Sequence, residues 1–247
     1  MTGLRRIGPA LALACLLLAS IPGVGAGAAD SPAQPARWGA ILVAGDRSEP
    51  VFDNAVSSLA GRLRDSGRSS GIVVLTSIRA GTPVSATFDN LRRAAGSLDL
   101  SPEDGCLFFM TSHGVPGEGL SLALTGKALT PRRLDRLLDR ACGKRPTVVI
   151  ASGCYSGIYL DPVLLQPNRI VLTASRSDRP SFGCAVDRIF TFYDGCLLRS
   201  VAPGRTWDAI HRQTRACVAA QEKELGAVPS QPQAAIGAEV EALTAWF

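Results

Sequence analysis

Thr147-Val148-Val149-Ile150-Ala151-Ser152-Gly153-Cys154-Tyr155-Ser156-Gly157 (residues 147–157, TVVIASGCYSG) joins an unbroken apolar run to a turn of small residues. The run is short and β-branched, which suits a strand buried on both faces. The glycines and serines after it allow a sharp reversal and a close approach of another backbone. Cys106–Thr111 (CLFFMT) repeats the pattern and leads into Ser112-His113-Gly114. If the two strands are neighbours in a parallel sheet, His113 and Cys154 leave from the same edge. Open α/β sheets place their ligand sites just beyond the carboxyl ends of the strands.

Working outward, Trp38–Ala44 (WGAILVA), Ile72–Leu75 and Ile170–Ala174 read as further buried strands. Asn54–Leu63 and Phe88–Ala95 carry helical spacing. Thr130-Pro131 opens another helix with Thr as N-cap and Pro in the first turn, and Gly143 ends it. Leu120–Leu129 predicts a small hairpin around Thr125-Gly126. Arg188–Arg199, Thr206–Leu225 and Ala235–Trp246 read as helices. Strands alternating with helices, each strand apolar throughout, predict an α/β fold with a mostly parallel sheet covered on both faces.

The chain has 247 residues, 46% hydrophobic and 19% charged, enough to bury a core in one medium domain. Arg5-Arg6, the apolar run Ala10–Ile21 and the small residues Gly23–Ala29 have the plan of a signal peptide. The expected organisation is a signal peptide over 1–29, a flexible leader over 30–37 and one domain over 38–247. An exported protein, periplasmic or secreted, follows, with no stable membrane span once the signal is cleaved. The formal charge of +5 falls to +3 when Arg5 and Arg6 are removed. No dense basic stripe with interleaved aromatics argues for nucleic acid. The sequence does not set the oligomeric state.

Six cysteines follow the leader: Cys106, Cys142, Cys154, Cys184, Cys196 and Cys217. There is no C-x-x-C pair, and the two histidines are too few to suggest zinc. If one thiol is kept free as a nucleophile, at most two bridges form and another thiol stays free. Cys106 and Cys142 each precede a strand leading to His113 or Cys154; if those strands are adjacent, a bridge between the two is feasible.

A thiol nucleophile needs a base, and an imidazole at the neighbouring strand end supplies one and later protonates the leaving amine. The N–H groups of Gly114 and Cys154 are candidate oxyanion donors, each worth about 2.7–4 kcal/mol in such sites. His211, in an Arg-rich helix, reads as a surface residue. No G-x-S-x-G elbow is present, which ranks a serine hydrolase last.

The ordered set of Ser112-His113-Gly114 and Gly153-Cys154-Tyr155-Ser156-Gly157, each at a strand end, resembles peptidase family C13, the legumain group, and especially its bacterial members. Trp38–Asp46 resembles the family's opening strand, Phe52-Asp53-Asn54-Ala55 a stretch of bacterial relatives, and Ile170–Cys184 the strand and loop after the nucleophile. The resemblance implies a caspase-like α/β/α sandwich with a six-stranded sheet and a His113/Cys154 dyad. It also implies peptide or protein substrates cut through a thioester, and no cofactor. Transamidation through the same thioester, or a non-catalytic binding protein on the same fold, are the alternatives. The resemblance offers Ser175, Asp194 and Asp53 as pocket residues. Where asparagine-specific legumains carry Asn after Val-Ala-Gly, this chain has Asp46, a candidate for orienting His113. The Arg-His pair of the eukaryotic pocket is replaced by Phe52-Asp53-Asn54, so asparagine specificity does not carry over.

Overall fold

A computed structural model describes residues 1–3, 34–78, 81–82, 84–185 and 187–247. The signal-peptide reading of 1–29 falls, apart from the first three residues, outside the described residues. In chain order the elements are β1 (Trp38–Ala44), α1 (Pro50–Asp65), β2 (Ser69–Leu75), α2 (Phe88–Ser97) and β3 (Gly105–Thr111). The short strands β4 (Gly114–Val115), β5 (Gly119–Leu122) and β6 (Lys127–Leu129) come next. They lead to α3 (Pro131–Ala141), β7 (Thr147–Ser152) and β8 (Arg169–Thr173). The last elements are α4 (Phe192–Ser200), α5 (Trp207–Glu224) and β9 (Gln233–Ile236).

Six strands form one sheet in the order β2-β1-β3-β7-β8-β9, parallel except for β9. This is the α/β architecture with a mostly parallel six-stranded sheet that the sequence implies. The middles of the central strands are continuously apolar because alternate residues serve two cores. Leu107, Phe109, Val148 and Ile150 pack under α1, α4 and α5. Phe108, Met110, Val149 and Ala151 pack under α2 and α3. Strand β3 pairs with β7 from Cys106↔Thr147 to Thr111↔Ser152, so both end at the same edge. The predicted hairpin is present as β5 and β6, which with β4 form a separate small sheet beside that edge.

Ala235–Trp246 is not a helix. Its start belongs to β9, which closes the sheet edge at β8. Beyond it the chain makes short turns, Leu243 N–H to Val240 O among them, and a single antiparallel bridge from Thr244 to Thr206. Val240, Leu243, Trp246 and Phe247 are nonetheless buried, and Trp246 stacks on Trp38 at 3.7 Å. Their spacing reports a buried path across the β1 end of the core, not helical periodicity. Helix α4 starts later than expected, at Phe192, because the Thr191 hydroxyl accepts the Asp194 N–H and caps it there. Residues 34–37 of the expected flexible leader are tied down: Gln34 bonds Ala242 and Thr244, and Arg68 holds the carbonyls of Pro35 and Ala36.

Two disulfides are present among the described residues. Cys106–Cys142 joins the start of β3 to the end of α3, and Cys196–Cys217 joins α4 to α5. Cys154 and Cys184 are free. A chain lacking the first 29 residues, denatured without reductant, is expected to show these two free thiols on titration; six would overturn both bridges. Replacing Cys106 and Cys142 by Ala should lower unfolding free energy by about 2–4 kcal/mol, read from denaturant midpoints.

Candidate active site

The turn after β7 is set by backbone crowding. A Cβ on Gly153 would lie 2.4 Å from the Ser112 carbonyl oxygen, so only glycine lets the two strand ends stay together. Tyr155 takes a left-handed φ of 57°, and its N–H donates to Arg179 O at 2.8 Å. A bulky residue in that region carries strain that its surroundings must hold. Ser175 supplies part of the hold. Its hydroxyl donates to Gly153 O (3.1 Å) and accepts the Ser156 N–H (3.2 Å), while its own N–H reaches Ser156 Oγ (3.2 Å). Ser175 is fully buried, so it braces the nucleophile turn from beneath.

Cys154 is half-buried at the head of this turn. Its Sγ accepts the Ser181 N–H at 3.2 Å and lies 3.4 Å from Ser181 O. Ser181 was not singled out from the sequence, because a residue 27 positions away shows no sign of the contact. On the β3 side, a Cβ on Gly114 would lie 1.7 Å from the Cys154 carbonyl oxygen. The His113 and Cys154 loops therefore touch backbone to backbone. Ser121 N–H donates to His113 O at 2.8 Å, so Gly114 holds the alternate position of the β4–β5 ladder, whose N–H faces away from β5.

The His113 ring stands edge-on to Phe52 (5.2 Å between centroids), and its Nε2 lies 3.1 Å from Ser48 Oγ. Asp46 does not meet the ring among the hydrogen bonds of the described residues. Its Oδ1 accepts the Ser48 N–H at 2.7 Å, so it shapes the loop that presents Ser48. The candidate orienting role thus moves from Asp46 to Ser48, two residues on, through an Asx turn.

The two candidate pocket acids differ. Asp194 is completely buried; Thr111 donates to its Oδ2 at 2.7 Å, and its Oδ1 has no hydrogen-bond partner among the described residues. Burial holds its carboxyl above the usual range, against the hydroxyls of Ser152, Thr111 and Thr191, which favour the charge. Asp53, in the first turn of α1, is half-buried, and burial raises its carboxyl too. Of the two, only Asp53 is partly exposed, and its Oδ1 is buried without a hydrogen-bond partner among the described residues. Cys184 is half-buried, its thiol pushed up to about 12 by burial, with the charges of Cys154, Asp194 and Glu49 adding. His211 is not on the surface. It is 9% exposed on α5, and burial and Arg215 hold its imidazole below the usual range. The Arg-rich surroundings misled the surface reading: α5 turns His211 inward while Arg212 and Arg215 stay exposed.

Among the described residues no group of three or more His, Cys, Asp or Glu is placed to hold a metal ion, and no helix is long and apolar enough to cross a membrane.

A raised folded-state acid favours the fold below its unfolded value near 3.8 and loses that contribution as pH rises through its folded value. Wild-type stability should therefore fall across that window more than that of Asp194→Asn, when denaturant midpoints are compared from acid to neutral pH. Parallel curves would mean that Asp194 does not titrate as its burial requires.

A search of curated proteins found no match. The family model described as Peptidase C13 family matches residues 89–214, just over half of the chain, a span that includes His113 and Cys154. The chain belongs to the peptidase C13 family.

Proposed function

We propose that the protein is a cysteine endopeptidase in which Cys154 attacks the scissile carbonyl and His113 moves the protons. The reading is carried by the backbone contact between Gly114 and Cys154, which puts an imidazole and a thiol on touching loops at the ends of adjacent strands. His113 takes the Cys154 proton as Sγ bonds to the carbonyl carbon. The oxyanion is received by the N–H groups of Gly114 and Cys154. The protonated imidazole then passes its proton to the leaving amine, and a Cys154 thioester remains. Water, deprotonated by His113, releases the acid and restores the thiol. An amine in place of water would give transamidation by the same steps. The Ser181 N–H that meets Sγ at 3.2 Å holds the sulfur in place for attack. Ser48 occupies Nε2, which leaves Nδ1 as the nitrogen that exchanges protons with the cleft. Export, with the signal peptide removed, completes this proposal: a folded domain carrying two disulfides fits an oxidising compartment.

The mature chain should react with a short peptide carrying a thiol-directed warhead. Labelling should vanish in Cys154→Ala and fall by about 10²–10⁴ in His113→Ala, the range expected for a lost acid–base group. Equal labelling of all three proteins would make Cys154 an ordinary thiol and would favour a binding protein. Ser48→Ala should slow labelling roughly tenfold or less, in line with one lost hydrogen bond, and shift its pH profile. An unchanged rate and profile would remove Ser48 from the positioning of His113.

A further inference from the structure

Helices α2 and α3 lie side by side on one face of the sheet and enclose a cleft of ≈ 430 Å³. Phe88 and Leu137 give it an apolar floor, and its walls are cationic. Arg133 lies over the Phe88 ring at 4.5 Å, and Arg136, Arg140 and Lys127 complete the lining with Arg92. The acids nearby do not neutralise this ring. Asp89 pairs with Arg92 alone. The two carboxylates of α3, Asp135 and Asp139, are both drawn to Arg169 at 2.7 Å, a side chain only 2% exposed. Among the described residues no ion pair engages Lys127, Arg133, Arg136 or Arg140. The buried Arg169 therefore takes the acids of α3 and leaves its arginines uncompensated.

The cleft also starts at the catalytic edge. Leu129, one residue before the α3 N-cap, receives the Tyr159 hydroxyl, and Tyr159 follows directly from the nucleophile turn. Lys127 lies in β6, which pairs with β5, and β5 pairs with β4 immediately after His113. Helix α2 begins beyond the end of β2, where Ala86 N–H bonds Thr76 O. Both helices then run away from that edge, back to the starts of β3 and β7.

We propose that this cleft is a docking groove for an acidic polypeptide segment, the flank of a substrate whose scissile bond lies at Cys154. The identity of the occupant as substrate rests on the peptidase reading; the groove itself does not. Guanidinium groups bind carboxylates as paired donors, and the Phe88–Leu137 floor accommodates one apolar side chain between them. A concave cavity with that floor suits a peptide better than a flat charged lipid surface. Docking of the flank would raise the local concentration of the scissile bond at the dyad.

The test uses Cys154→Ala, so that a bound peptide is not cut, and two short fluorescent peptides. One is rich in Asp and Glu with a single Phe; its twin has each acid replaced by the amide. The acidic peptide should bind at least about tenfold more tightly, a difference of roughly 1.4 kcal/mol. Rising ionic strength should erode the preference. Arg136→Glu with Arg140→Glu should abolish it, and the milder Arg136→Gln with Arg140→Gln serves if the reversed pair does not fold. Equal binding of the two peptides overturns the proposal, as does an acidic preference that survives the substitutions. Retention on anionic phospholipid vesicles without peptide discrimination overturns it too. Joining the acidic segment to the warhead peptide should speed labelling of the wild type by about tenfold or more, and not that of the double variants. If the short neutral probe fails to label Cys154 while the acidic preference holds, the groove stands and the peptidase reading falls. Normal labelling with no acidic preference gives the reverse.

Discussion

At the carboxyl edge of the sheet, Gly114 meets the Cys154 carbonyl with no space for even a methyl group between them, and Gly153 meets Ser112 in the same way. Both approaches depend on the parallel pairing of β3 with β7 through Thr111↔Ser152. The pairing continues past the strands, where Ser112 N–H reaches Ser152 O. Adjacent strands lie about 4.7–4.9 Å apart. Residues that leave two such strands on crowded, glycine-lined turns have little freedom to separate. The relation of His113 to Cys154 is therefore built into the backbone before any side chain is placed.

Around this contact the molecule spends polar groups on bracing. The Ser156–Ser175 exchange holds the strained turn at Tyr155, and the Asp46–Ser48 turn presents a hydroxyl to His113. Each such bond contributes only about 0.5–1.5 kcal/mol. Together they compare with the roughly 1–3 kcal/mol that a residue in a sparse φ/ψ region costs. Asp194 is different: a fully buried carboxyl with one oxygen unpartnered among the described residues weakens the fold unless it is protonated. Its bond to Thr111 lies at the last residue of β3, directly before the His113 turn.

The sheet was legible because buried parallel strands write themselves as continuous apolar runs, and TVVIAS and CLFFMT are two of them. The helix opened by Thr130 and Pro131 was equally plain, since a cap and its periodic face are local signals. The sixth strand was not. Gln233–Ile236 is a strand only because β8 offers it an edge, and nothing in so short a stretch announces that partner. At the site, glycine and cysteine in a turn marked the nucleophile, but the groups touching it come from elsewhere in the chain. Ser48 and Ser181 are unremarkable as sequence and acquire their places from the loops after β1 and β8. Ser175 and Asp194 were visible as residues, whereas their burial was not.

The bridges carry a consequence for how the chain must mature. Along the sequence Cys142 is nearer to Cys154 than to its partner Cys106, and Cys196 is nearer to Cys184 than to Cys217. Loop-closure entropy alone would favour these wrong partners, by about 1 and about 0.5 kcal/mol respectively. An unfolded chain meeting an oxidant would thus tend to capture its own nucleophile. The observed pairs are those that the assembled layers bring together, with one crosslink under each face of the sheet. Folding must then run ahead of oxidation, so that the native pairings leave Cys154 and Cys184 as thiols.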